Sequence, residues 1–157
     1  MHPKLGYLYR IQRAIDYIEA SLTVETHLDQ IAKASAFSPF HFHKVFTATV
    51  GEPVKTYIRR RRMTEAAREI RTGEGRILDI AIKYQFESQE SFSRAFKKAF
   101  GLMPGAYRKA KKHPRFLEKR RLSASEIRHR LKGIKVKSRI VAQSSFSIIG
   151  LEYLGPK

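Results

Sequence analysis

One short stretch of this chain occurs twice. Residues 31–46 read IAKASAFSPFHFHKVF, and residues 80–96 read IAIKYQFESQESFSRAF. The copies lie 49 positions apart at their first residues and 50 apart at their last, so one residue was gained at the turn inside the second copy. A repeat of this period, with two short helices around a turn, predicts two similar helix-turn-helix units.

Apolar spacing, capping residues and glycines predict about seven helices before residue 113. Ser38 stands at an N-cap position and Pro39 at a first helical position, where no N–H is needed. Gly51 and Gly101 end the helices that precede them. The predicted helices cover residues 7–22, 28–35, 39–50, 54–71, 77–83, 88–100 and 104–111. We therefore expect an all-α fold in which a long linking helix over 54–71 joins the two units.

The composition changes after residue 112, and we expect three segments. Residues 1–112 form the double helix-turn-helix domain, 113–138 a basic linker, and 139–157 a fragment of a second, C-terminal domain. Ser123 and Glu126 have capping-box spacing, which predicts a short helix over 124–132. The last segment holds Val, Ile, Phe and Tyr in short runs, which predicts a β segment that is not stable alone.

The charge balance indicates a polyanionic partner. Lys and Arg number 32 against 14 Asp and Glu, a formal net charge of +18. Neutralising phosphates releases condensed counterions, so double-stranded DNA is the expected partner. A solubilising surface and an anionic membrane surface are the alternatives. No segment approaches the roughly 18 apolar residues that span a bilayer, and the start lacks a signal-peptide core, so we expect a cytoplasmic protein.

Neither the cysteine count nor the histidines indicate an enzyme. The chain has no Cys and six His. His41 and His43 are two positions apart, which directs them to different faces of a helix, and no carboxylate lies nearby at ligand spacing. We therefore expect no catalytic residue, no cofactor and no metal.

Each predicted second helix has an apolar face and a polar one. The apolar faces are formed by Phe42, Val45 and Phe46 in the first unit and by Phe92, Ala95, Phe96 and Phe100 in the second. A helix supported in this way can lie in the major groove, and its outward residues can reach base edges. The candidate DNA-binding residues on the outward faces are Phe40, His43, Lys44 and Thr47, and Gln89, Glu90, Ser93, Arg94 and Lys97.

The outward side chains suit different contacts. Arg94 fits guanine O6 and N7, and Gln89 fits adenine N6 and N7. Lys44 suits either a guanine or a phosphate, and Phe40 suits a thymine methyl. Glu90 either accepts from cytosine N4 or orients Arg94, four positions along the helix.

Other basic residues are candidates for backbone contacts. Arg108 and Lys109 lie near the end of the last predicted helix and can hold the DNA backbone. The run 59–62 is four arginines, which point all round a helix, so one or two contact phosphate and the rest are solvated or paired with Glu65 and Glu69. The Lys and Arg of 115–139 either add non-specific affinity or keep a linker soluble.

The linking helix sets the distance between the two outward faces. Eighteen residues rise roughly 27 Å at 1.5 Å per residue, so the two faces can lie about one DNA turn apart. One chain can then read an asymmetric site without dimerising. If the distance falls short of a full turn, the DNA must bend, at a cost of a few kcal/mol.

At these residues the chain resembles the DNA-binding domain of the AraC/XylS family of bacterial transcription regulators. The resemblance covers about residues 7–112 and is strongest in ILDIAIKYQFESQESFSRAFKKAFGLMPGAYR (77–108). It implies a seven-helix, two-unit DNA reader, often an activator that contacts RNA polymerase. The base-contacting positions that it implies are Phe40, His43 and Lys44 in the first unit and Gln89, Glu90, Ser93 and Arg94 in the second.

The chain departs from the family pattern at four positions. Ala36 and Gln85 stand in the turns where Gly is frequent, so any strained backbone there must be tolerated by a residue with a side chain. Phe40 stands where Trp is frequent and His43 where Gln is frequent, so the family's preferred DNA sequences do not transfer. From about Ser138 the tail resembles a GyrI-like effector-binding domain, which implies a small-molecule effector for the longer protein.

The leading interpretation is a sequence-specific DNA-binding transcription regulator, monomeric in this form and located at the nucleoid. The alternative is a basic RNA-binding or nucleoid-associated protein with little sequence preference. The ratio of specific to non-specific affinity at fixed salt distinguishes the two, because a regulator prefers its own site by roughly 10³ or more.

Overall fold

The computed structural model describes residues 3–73, 75–110 and 118–133. Within these ranges the chain forms eight helices and no strand. The helices are α1 Pro3–Ala20, α2 Leu28–Ala34, α3 Pro39–Val50, α4 Val54–Thr72, α5 Ile77–Lys83, α6 Gln89–Phe100, α7 Pro104–Lys109 and α8 Ala124–Gly133. The all-α fold with two helix-turn-helix units on a long linking helix is confirmed.

The predicted helices agree with the structure within a few residues at most of their ends. The first helix begins at Pro3 rather than at residue 7. The capping box before α8 is present, since the amide of Ser123 donates to Glu126 Oε2 at 2.7 Å and the amide of Glu126 to Ser123 Oγ at 3.3 Å. The β segment predicted within 139–157 lies outside the described residues. The boundaries of the three predicted segments stay predictions.

The core is divided into two apolar clusters with no residue in common among the described ranges. The first cluster is built from α1, α2, α3, the start of α4 and the segment 118–133 that contains α8, and the second from the rest of α4 and from α5, α6 and α7. Val54 and Tyr57 of α4 belong to the first cluster, whereas Ala66 and Ile70 belong to the second. The linking helix is therefore shared by both units and supports each with a different segment.

The same aromatic arrangement occurs in both clusters. The ring of Phe46 meets Tyr57 edge-on with centroids 5.7 Å apart, and fifty positions later Phe96 meets Tyr107 in the same way at 5.1 Å. All four rings are buried. The duplicated sequence thus produces a duplicated support beneath α3 and α6.

The turns inside the two units contain the strained backbone. Ala36 has φ +56° and Gln85 has φ +63°, the left-handed region that non-glycine residues rarely adopt. Gly51 and Gly101 have φ +82° and +76° at the ends of α3 and α6, where the missing side chain permits this cap. Ala36 and Gln85 therefore adopt the left-handed conformation although each has a side chain.

Residues 118–133 pack on the first unit. Leu122 and Ile127 are buried in the first apolar cluster. The Arg130 guanidinium donates to the carbonyl of Val50 at the end of α3, at 2.5 Å, and Arg121 pairs with Asp16 of α1 at 2.6 Å. The charge pattern of this basic stretch predicts non-specific affinity or solubility and gives no indication of its contribution to the core.

Arg61 joins three parts of the first unit. Its side chain is 4 % exposed, and its guanidinium contacts Glu19 of α1 at 2.6 Å and Glu65 of α4 at 2.7 Å. It also donates to the carbonyl of Lys119 at 2.7 Å. Burial alone would lower the pKa of Arg61, but the hydrogen bonds to the two carboxylates raise it above its usual value.

Candidate nucleic-acid interface

The helices α3 and α6 begin with different caps. Ser88 accepts a hydrogen bond from the amide of Ser91 at 3.1 Å, which satisfies one free N–H of the first turn of α6. Ser38 occupies the N-cap position of α3 with an extended backbone but makes no side-chain capping bond. Pro39 follows it and has no N–H to satisfy.

The first turns of α3 present an aromatic ring and a cation to the surface. Phe40 is 72 % exposed, whereas the other phenylalanines within the described ranges are buried or half-buried. The Lys44 ammonium lies 4.4 Å from the centre of the Phe40 ring, and His43 is exposed nearby. These three side chains therefore lie where the sequence analysis placed them, on the face opposite Phe42 and Phe46.

Thr47 and His41 lie at the edges of this face. The hydroxyl oxygen of Thr47 is buried, without a hydrogen-bond partner among the described residues. His41 is exposed, but its Nε2 lies 3.3 Å from the Tyr7 hydroxyl of α1 and its ring packs on Phe37 at 5.4 Å. His41 therefore contacts α1. The Thr47 hydroxyl would reach the surface only if the Thr47 side chain adopted another rotamer.

The outward face of α6 is polar and charged. Gln89, Glu90, Arg94 and Lys97 are exposed, whereas Ser93 is only 9 % exposed. Within the described part of the chain Glu90 and Arg94 form no ion pair. Both side chains are therefore available to an external partner, and the orienting role considered for Glu90 has no support in this conformation.

Two clefts border Arg94. One of about 450 Å³ is lined by Gln89, Glu90, Ser93, Arg94 and Met103. The other, of about 580 Å³, lies between α4 and α6 and is lined by Arg59, Arg60, Met63, Ser91, Arg94, Ala95, Lys98 and Ala99. The second cleft has four cations and no carboxylate in its lining. Lys98 was not among the predicted contacts, although its position four residues after Arg94 places it on the same face.

The two predicted backbone contacts in the last turn of α7 differ in availability. Arg108 donates to the carbonyls of Ile70 at 3.4 Å and Gly75 at 2.5 Å, which ties α7 to the end of α4. Lys109 is exposed. Arg108 therefore makes hydrogen bonds within the protein, whereas the Lys109 side chain is accessible to a partner.

The four arginines of 59–62 have four different environments. Arg59 is exposed and lies over the Phe86 ring at 5.9 Å, and Arg60 pairs with Glu52 at 3.1 Å. Arg61 is buried, as described above. Arg62 donates to backbone carbonyls of the loop between α1 and α2, and burial lowers its pKa. The pairing with Glu65 predicted for this run is confirmed at Arg61.

In the described ranges there is no group of three or more His, Asp or Glu residues placed to hold a metal ion. Among the same residues, no helix combines the length and the apolar character that crossing a membrane requires.

The chain matches the family described as "Helix-turn-helix domain" over residues 31–110. It is 43 % identical over 120 residues to the uncharacterized HTH-type transcriptional regulator YbfP of Bacillus subtilis, covering 73 % of this chain and 41 % of YbfP. It is 45 % identical over 98 residues to the HTH-type transcriptional activator AarP of Providencia stuartii, covering 62 % of this chain and 73 % of AarP.

A solved structure has the same fold. The C-terminal domain of AraT, a response regulator from Geobacillus stearothermophilus, superposes with a TM-score of 0.58 at 29 % identity. The superposition covers 63 % of this chain and 83 % of that domain.

Proposed function

Because the chain belongs to the AraC-type family of helix-turn-helix DNA-binding domains, we propose that it is a sequence-specific transcription regulator that reads two adjacent major-groove segments with α3 and α6. The observation that carries this proposal is the contrast between support and surface. The buried pairs Phe46–Tyr57 and Phe96–Tyr107 have similar geometry, whereas the outward residues differ in identity at each matched position and share only a cation, Lys44 in α3 and Arg94 in α6. Two equal supports that present different surfaces are suited to an asymmetric DNA site.

The second unit is proposed to make the more specific contacts. Arg94 is exposed and unpaired among the described residues, and its fork of donors fits guanine O6 and N7. Gln89 fits adenine. Glu90, which forms no ion pair within the described ranges, is proposed to accept from cytosine N4. Ser93 lies at the edge of the same cleft and contributes a smaller contact.

The first unit is proposed to combine apolar and charged contacts. The exposed Phe40 ring fits a thymine methyl, and it holds Lys44 above its face, where the ammonium can reach a guanine or a phosphate. His43 adds a donor or acceptor beside them. Thr47 is a minor candidate here because its hydroxyl is buried.

Exposed lysines are proposed to hold the phosphate backbone. Lys97 and Lys109 are exposed, and Lys98 lies in the cation-lined cleft beside Arg94. Each neutralised phosphate releases condensed counterions and steepens the dependence of affinity on salt. Arg108 supports this surface by tying α7 to α4 rather than by a direct contact.

Activation, the partner protein, the location in the cell and effector control are proposed from family membership. We propose that this chain activates transcription through contact with RNA polymerase at the bacterial nucleoid. One chain is proposed to occupy the DNA site without dimerising. The AarP relative is named a transcriptional activator. A C-terminal effector-binding domain beginning near Ser138 would add control by a small molecule.

The specificity ratio tests the proposal. A preferred duplex is first selected from a random-sequence pool with the wild-type chain, and its dissociation constant is compared with that of a shuffled duplex at the same salt concentration. We expect a preference of roughly 10³ or more. A ratio near one would show a general nucleic-acid binder, and tighter binding to RNA than to any duplex would favour the RNA-binding alternative.

A further inference from the structure

The loop between α1 and α2 is held by side chains from two directions. Arg62 of α4 donates to the carbonyls of Leu22 at 2.8 Å and Val24 at 2.7 Å. The side-chain Nε2 of Gln85 donates to the carbonyl between them, that of Thr23, at 2.9 Å. Three consecutive carbonyls of the first unit thus accept from the linking helix and from the turn of the second unit. We call this set of contacts the carbonyl clasp.

Gln85 has a backbone conformation that is unfavourable for residues with a side chain. Its φ of +63° lies in the left-handed region, where glycine would be less strained. Ala36, 49 positions earlier, has nearly the same conformation at φ +56°, but its side chain is a single methyl group. The two turns therefore have the same strain, and only the second has a side chain that reaches the other unit.

No apolar cluster of the described residues spans both units, so their relative orientation depends on α4 and on polar contacts. The two core clusters of the described residues have no member in common, and α4 supplies residues to both. A helix shared end to end resists bending more than it resists small rotations of the units packed on it. Within the carbonyl clasp, the hydrogen bond from Gln85 to the carbonyl of Thr23 joins the two units without a residue of α4. Arg62 and Arg59 add contacts from α4 itself, to the first unit and to the Phe86 ring of the second.

We propose that Gln85, acting with Arg62, is a positioning residue that sets the orientation of α6 relative to α3 and so the spacing of the two DNA segments. The proposal rests on the two-segment reading described under the proposed function. It adds that the spacing is enforced by a hydrogen bond between the units, donated by a residue whose own backbone is in the left-handed region.

The first test measures orientation without DNA. The chain has no cysteine, so Lys33→Cys in α2 and Asp79→Cys in α5, both exposed, can carry two nitroxide labels. Electron–electron distance measurements should give a narrow distribution for the otherwise wild-type chain and a broader one for Gln85→Ala. Alanine is already accommodated at the matching turn by Ala36, so this variant should fold.

The matched control is Ala36→Gly. This change relieves the backbone strain at residue 36 of the first unit and alters none of the hydrogen bonds of the carbonyl clasp. The distance distribution should therefore stay as in the wild type. Equal distributions for Gln85→Ala and the wild type would overturn the positioning role. Broadening in Ala36→Gly as well would show that strain at the turns, and not the clasp, sets the orientation.

The second test measures spacing on the duplex selected with the wild-type chain. One base pair inserted between the two recognised blocks rotates one block by about 35° relative to the other. The wild type should lose roughly tenfold or more in affinity on this duplex. Gln85→Ala should bind the parent duplex about three- to tenfold more weakly, as expected for one lost hydrogen bond, and should lose less on the insertion.

The outcomes separate this proposal from the proposed function. An equal insertion penalty in Gln85→Ala and in the wild type would overturn the spacing role even if the distances broaden. If selection yields no two-block sequence, the proposed function and the spacing role both fail, while the label distances still decide whether Gln85 fixes the orientation of the units.

Discussion

Neighbouring residues of the same type have opposite roles in this chain, and burial decides between them. Arg60 and Arg61 are adjacent in α4, yet the side chain of Arg60 is 42 % exposed and that of Arg61 is 4 % exposed. The first is screened by water, so its pairing with Glu52 adds little. The second cannot be separated from Glu19 and Glu65 without leaving charges uncompensated in a poorly hydrated site.

Replacing Arg61 by alanine should therefore destabilise the whole first unit. We expect a loss of about 3 kcal/mol in the free energy of unfolding, measured by urea denaturation, because the largely buried Glu19 loses its ion-pair partner and Glu65 keeps only Arg68 among the described residues. Arg68→Ala is the matched control, since Arg68 pairs with the same Glu65 from the surface. Its cost should stay within about 0.5 kcal/mol. Similar losses in the two variants would contradict the buried role of Arg61.

Arg94 and Lys109 should differ in what they contribute to DNA binding. Arg94→Ala should relax the preference at one base position by about 1–3 kcal/mol, because a guanine loses its bidentate partner. Lys109→Ala should weaken binding to all sequences alike and reduce the salt slope by about one. Titrations of the preferred duplex and of single-base variants at several salt concentrations measure both effects. If Arg94→Ala weakens preferred and shuffled duplexes equally, it does not read a base.

Helix positions were predictable from local signals, whereas the packing of α8 was not. The glycines at 51 and 101, the prolines at 39 and 104 and the capping boxes are short-range features, and the helices begin or end at them. The buried Ile127 is one apolar residue among arginines, and nothing local distinguishes it from an exposed one. Its partners lie about 80 to 115 residues earlier, in α1 and α3, and only the assembled structure brings them together.

The packing of α8 can be tested with two isoleucines. Ile127 is buried in the first core, whereas Ile82 of α5 is 57 % exposed. Ile127→Ala should cost about 2–4 kcal/mol in the free energy of unfolding, through lost burial and the cavity left behind. Ile82→Ala should change it by less than about 0.5 kcal/mol. A small effect of Ile127→Ala would show that residues 118–133 do not belong to the folded core of the first unit.

Across the whole molecule, the duplication keeps the support constant and varies the surface. The pairs Phe46–Tyr57 and Phe96–Tyr107 keep the two recognition helices on equivalent supports, and α4 supplies residues to both supports. The nineteen residues of α4 rise roughly 28 Å, which is shorter than the 34 Å of a full DNA turn. The account therefore implies modest bending of the bound DNA.

The candidate site was partly predictable from helical spacing in the duplicated sequence. Helical spacing indicated which residues of α3 and α6 point outward, and Phe40, Lys44, Gln89 and Arg94 do so. It could not show that Arg108 is bound to carbonyls at the end of α4, because that contact joins α7 to residues more than 30 positions away. Nor could it show that Gln85 reaches Thr23, 62 positions earlier.

The most direct test of the two-reader account is a base-by-base affinity scan of the selected duplex with Lys44→Ala and Arg94→Ala. The wild type should show two blocks of preferred bases about one helical turn apart. Lys44→Ala should lose preference or affinity only within one block, and Arg94→Ala only within the other. A single block, or two variants that alter the same block, would show that the chain reads DNA with one helix and that the duplicated unit has another role.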